Sequence, residues 1–77
     1  MSDATQVLDV RVIPPRDKHP TIFRMFDALT SGQVLQLVND HDPMPLNYQL
    51  QAERPNSFKW DKIESGPEVW KVNITKV

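Results

Sequence analysis

The sequence contains no cysteine, which rules out a disulfide framework, a thiolate metal site and a cysteine nucleophile within this chain. Packing alone must stabilise it. Glycine is scarce, with only Gly32 and Gly66, each preceded by a serine. No apolar run is long enough to span a bilayer, and the N-terminus, Met1-Ser2-Asp3-Ala4-Thr5-Gln6, lacks a basic segment followed by an apolar one. A cytoplasmic protein without membrane contact is expected. An excess of positive charge is missing too: Lys and Arg total 9 against 10 Asp and Glu, a net charge of -1. That removes the broad positive field on which non-specific binding to a phosphate backbone depends. Nucleic acid is therefore not an expected partner.

What is present fits one small domain. A chain of 77 residues buries only roughly 60% of its unfolded surface, so the core must be thin. Residues 1–6 are small and polar and are expected to be flexible, leaving 7–77 as a single domain. The 7 prolines fall between the predicted elements, where they punctuate the chain.

Hydrophobic periodicity gives the elements. From Val7 to Ile13 the residues Leu8, Val10 and Val12 alternate with Asp9 and Arg11, the period of a strand, and Pro14-Pro15 ends it. Asp17 or His19 is placed to cap a first helix with Pro20 in its first turn. Ile22, Phe23, Phe26 and Leu29 then form one apolar stripe, with Met25 at its margin, up to Ser31-Gly32. Gln33 to Val38 is apolar on both faces and reads as a central strand. A second helix is predicted from Leu46 to Glu53, followed by a strand over 57–63, a Ser65-Gly66-Pro67 turn and a last strand over 68–75. The predicted fold is α+β: a βαβαββ two-layer sandwich, with a four-stranded mixed sheet and both helices on one face. Strand, helix, strand with short connections implies a right-handed crossover and parallel pairing of the first two strands.

Parallel pairing brings two polar loops to one end of the sheet, where ligands bind in sheets of this kind. One is Pro14-Pro15-Arg16-Asp17-Lys18-His19-Pro20 and the other Asn39-Asp40-His41-Asp42-Pro43. The predicted ligand or partner site is Arg16, Asp17, His19, Asn39, Asp40, His41 and Asp42. Two imidazoles with nearby carboxylates suit a divalent first-row metal, with His19, His41, Asp40 and Asp42 as the ligands. Against this, no familiar metal spacing such as His-x-x-x-His occurs, and Asp40 and Asp42 suit an Asx turn or helix cap before a proline equally well. Anion binding at the two helix N-termini, with Arg16 and Lys18 adding charge, is opposed by those same carboxylates. Ser31, Ser57 and Ser65 have no histidine beside them in sequence and the chain has little room for a deep pocket, so an enzyme is not expected. Phe58, Trp60 and Trp70 at strand spacing read as packing residues.

Several blocks also resemble a family. They are Leu8-Asp9-Val10-Arg11, Phe26-Asp27-Ala28-Leu29, Asn39-Asp40-His41-Asp42-Pro43-Met44-Pro45 and Gly66-Pro67-Glu68-Val69-Trp70. Over residues 7–76 the chain resembles an uncharacterised bacterial domain grouped with the TusA/SirA-like proteins. The resemblance implies the same βαβαββ fold. It also implies a module found beside hemerythrin-like and cupin domains in proteins linked to nitric oxide and respiratory responses. Sulfur-relay members carry persulfide on the cysteine of a Cys-Pro-x-Pro motif at the first helix. This chain has no thiol there, so that activity is not implied. The expected function is a small non-enzymatic interaction or regulatory module with a protein partner. Metal or small-cofactor binding is the alternative, and an accessory sulfur-relay role without thiol chemistry a more distant one.

Overall fold

The structure is a computed structural model that describes residues 5–77. β1 (Thr5–Asp9), α1 (Pro15–Asp27), β2 (Val34–Asn39), α2 (Met44–Glu53), β3 (Phe58–Ser65) and β4 (Trp70–Lys76) follow one another along the chain. The strands form a single sheet of order β1-β2-β4-β3. β1 runs parallel to β2, from Thr5 opposite Val34 to Asp9 opposite Val38. β4 runs antiparallel to both β2 and β3. This is the predicted βαβαββ mixed sheet with two helices.

Burial explains the arrangement. Leu35 faces Ile74 and Leu37 faces Val72 across the β2–β4 pair, and all four are buried. Each helix contributes two apolar residues four apart, Ile22 and Phe26 from α1 and Leu46 and Leu50 from α2, so both point to one side. These residues join Val10 and Leu29 in one core cluster with the four sheet residues. Burying side chains of this size stabilises the fold by about 1.5–3 kcal/mol each before entropy is counted. On the opposite face the Gln36 amide donates to Asn73 Oδ1 at 3.1 Å, and Val7 is 63% exposed. That face is only partly covered, with Val38 its buried residue.

Several boundaries differ from the sequence expectation. β1 begins at Thr5 and stops at Asp9, after which Val10–Val12 form a single 3₁₀ turn. Thr5 and Gln6 therefore extend the strand, whereas residues 1–4 of the expected flexible terminus lie outside the described residues. The turn is fastened by Asp9, whose carboxylate accepts the Arg11 backbone N–H at 3.0 Å and the guanidinium Nε and Nη2 donors at 2.9 and 2.7 Å. It buries Val10 and leaves Val12 81% exposed, so the expected face of Leu8, Val10 and Val12 is broken.

α1 starts at Pro15, with Pro14 before it and Pro20 inside the helix. Neither Asp17 nor His19 caps it, since no side chain closes that end. Proline suits the first helical position because its missing donor has no partner there in any helix. Pro20 in the interior forfeits one backbone hydrogen bond, and the buried Ile22 and Phe26 hold the helix on course beyond it. The helix ends at Asp27, ahead of Ser31-Gly32, and Gly32 (φ 89°) serves the turn into β2. There its N–H donates to Lys76 O at 2.7 Å. α2 starts two residues earlier than predicted, at Met44, and β3 and β4 run on to Ser65 and Lys76.

Candidate functional site

Because β1 and β2 are parallel, the segments leaving their carboxyl ends emerge together. They enclose a cleft of about 60 Å³ whose lining includes Val10, Lys18, His19, Asn39, His41 and Asp42. Val10, Ile22, Pro43 and Leu46 give it buried apolar walls. Four of the seven expected site residues thus line one cleft: His19, Asn39, His41 and Asp42. Asp40 lies beside them on the loop. Arg16 and Asp17 do not line the cleft; both are exposed on the first turn of α1. Lys18, which the sequence offered only as added charge for an anion, lines the cleft, and Arg11, which sequence reasoning left out of the site, lies within the field of Asp40. For Lys18 the signal is the helix start at Pro15, which puts Lys18 and His19 together on α1.

The loop is held by its own short polar side chains. Asn39, 6% exposed, accepts the Asp40 N–H at 2.9 Å. Asp42 accepts the Met44 N–H at 3.1 Å and so closes the first turn of α2. Pro45 has no N–H, and the amides of Leu46 and Asn47 both reach Pro43 O. Every donor of that turn is absent or taken. No free cluster of amides is left there for an anion.

His41 Nδ1–H donates to Asp40 Oδ1 at 2.8 Å on the exposed rim. That hydrogen bond holds the Asp40 carboxyl below its ordinary range, aided by the field of Lys18. Asp9, clamped by Arg11, is lowered further, to about 2. The rim is therefore a mosaic of fixed opposite charges. Among the described residues no three His, Asp or Glu side chains converge to hold a metal ion. His19, His41, Asp40 and Asp42 are neighbours without forming a ready ligand set.

A second, larger cavity of about 470 Å³ lies between α2 and β3, lined by Asn47, Gln51, Pro55, Asn56, Phe58 and Trp60. Asn47 is 5% exposed, and its Oδ1 accepts from Gln51 one helical turn later. Tyr48, next to Asn47 on α2, is 64% exposed. Phe58 and Trp60 pack edge to face, and Phe58 does the same with Phe26. Both aromatics lie against the core as expected, yet one flank of each opens to this cavity. The Trp60 Nε1–H is buried with no partner among the described residues.

No helix among the described residues is long and apolar enough to cross a membrane. Residues 7–76 match the family described as Uncharacterized conserved protein (DUF2249). No curated protein and no solved structure matches the chain at a significant level.

Proposed function

The chain belongs to the family Uncharacterized conserved protein (DUF2249), and we propose that it acts as a non-enzymatic interaction module whose partner protein docks on the two-loop end. One observation carries this reading: the cleft shared by Lys18, His19, Asn39, His41 and Asp42 measures about 60 Å³. Sites for small ligands run to roughly 300–1,000 Å³. A cleft this small takes the tip of one side chain from a larger surface. Its apolar walls supply the buried centre of an interface. The Asp40–His41 pair, Lys18 and Arg11 supply a rim of both signs that orients a partner. Likeness to the TusA/SirA-grouped bacterial modules supports a cytoplasmic, regulatory setting linked to nitric oxide or respiratory metabolism. The region that corresponds to the Cys-Pro-x-Pro motif of sulfur-relay members, Pro14 to Pro20, has no thiol, which leaves thiol chemistry out.

The test compares the wild-type chain with a Lys18→Glu/His41→Ala double variant in native crosslinking from cell extract. Both positions lie on the surface rim, so circular dichroism should match between the two. A partner recovered by the wild type and lost by the variant supports docking at this end. Equal recovery by both, or recovery of the chain alone, refutes it.

A second reading, divalent-metal binding through His19, His41, Asp40 and Asp42, is favoured only by the two imidazoles lining one cleft. Titration with zinc and ferrous iron followed by histidine NMR decides it. Unchanged His19 and His41 resonances exclude the metal.

A further inference from the structure

Among the described residues β3 is the last strand of the sheet and pairs only with β4. Along its other side every second residue turns a backbone N–H and C=O outward, and no described strand receives them. Register with β4 fixes which way the side chains point. Trp60 lies opposite the buried Ile74, so Phe58, Trp60 and Lys62 share the helix-covered face, while Lys59 and Asp61, opposite Thr75 and Asn73, share the other face. Lys59 and Asp61 are exposed, and neither forms an ion pair or side-chain hydrogen bond among the described residues.

We infer that this edge pairs with the same edge of a second copy, giving a two-fold dimer with one continuous eight-stranded sheet. The charge pattern selects the register. In a two-fold antiparallel pair, facing residues share a face, so the axis passes beside a residue and not between two. An axis at Lys59 sets Lys59 against its own copy. An axis at Asp61 or Lys62 likewise opposes identical charges. With the axis at Trp60, Lys59 faces Asp61 of the copy twice over, and no like charges meet. The same register sets the two Trp60 side chains side by side, where the cavity between α2 and β3 leaves their flanks uncovered. It also places Lys62 opposite Phe58 of the copy, an ammonium against an aromatic ring. The irregularity between Lys62 and Glu64 ends regular pairing there. The shared segment is then 58–62, and so short an interface makes a weak, reversible dimer.

Sedimentation equilibrium of the chain from about 10 µM to about 1 mM covers the range of a small interface. The wild type is expected to shift from the mass of one chain toward that of two. Lys59→Asp and Asp61→Lys each put like charges opposite one another twice and should weaken association about tenfold or more. The swap Lys59→Asp/Asp61→Lys restores opposite charges and should restore the dimer. Both positions are exposed, so circular dichroism should show all three variants folded. A wild type that stays monomeric overturns the proposal and leaves the edge to a strand from another protein. Single variants that associate as well as the wild type, or a swap that fails to recover association, overturn it too.

Discussion

Replacing Gly66 by alanine is expected to cost far more than the same change at Gly32, although both residues hold a positive φ, 72° and 89°. A Cβ at either position bears the left-handed penalty, about 1–2 kcal/mol. At Gly32 nothing lies within 4 Å of the new methyl, and the penalty ends there. At Gly66 the methyl would sit 2.7 Å from Trp70 Cζ2 and 2.8 Å from Cε2, well inside van der Waals contact. The indole is the body of a half-buried side chain, so it must move as a whole. The turn holds its ground as well, since Gly66 N–H donates to Val69 O at 2.8 Å. Overpacking of this kind adds roughly 1–3 kcal/mol, giving about 2–5 kcal/mol in total for Gly66→Ala. In a chain of this size each kcal/mol lowers the melting temperature by about 4–8 °C. Urea unfolding followed by tryptophan fluorescence measures both variants, and the Trp70 indole proton should shift in Gly66→Ala alone. In a Trp70→Leu background the cost at Gly66 should fall to that at Gly32. Equal costs for the two glycines in the wild-type background would refute the reasoning.

Two further outcomes follow from burial and charge. Leu50→Ala, at a position with 0% exposure, should destabilise by about 2–5 kcal/mol in chemical unfolding. Tyr48→Ala, two residues away and 64% exposed, should stay within about 0.5 kcal/mol. Asp9 titrates at about 2 because its carboxylate is hydrogen-bonded to Arg11, so its favourable contribution is complete above the ordinary carboxylate value. That contribution is lost as pH falls from there through about 2. Carboxyl NMR should place the Asp9 midpoint there, and Arg11→Ala should return it to the ordinary range; an unmoved midpoint would discard the clamp.

The helices and the sheet order were legible in the sequence where burial sets the pattern. Ile22, Phe26, Leu46 and Leu50 carry their own spacing, and β2 reads as central because Leu35, Leu37 and Val38 are apolar on both faces. Periodicity misleads where a local side-chain contact takes the backbone away from the sheet. Leu8, Val10 and Val12 continue the alternation of a strand, but Asp9 binds the Arg11 backbone and converts the next residues to a 3₁₀ turn. Pro20 reads as a beginning, whereas Pro15 is already in the helix. In the site, parallel pairing foretold that His19 and His41 would be neighbours. The Asx-turn reading of Asp42 matches its hold on the first amide of α2, but the sequence could not tell that of the two cations Lys18 would line the cleft and Arg16 would not. The cavity beside β3 went unread because Asn47 looks like a surface residue; its partner Gln51, four positions on, was the available sign.

The position of β4 bears on how the molecule assembles. Trp70–Lys76, latest of the elements in sequence, lies between β2 and β3 in the sheet. On a ribosome, β3 emerges with no neighbour to receive its hydrogen bonds, and β2 waits with one flank bare until β4 clears the exit tunnel. The crossover of β1, α1 and β2 is free to take shape first, but the sheet closes in one late step that joins its two halves.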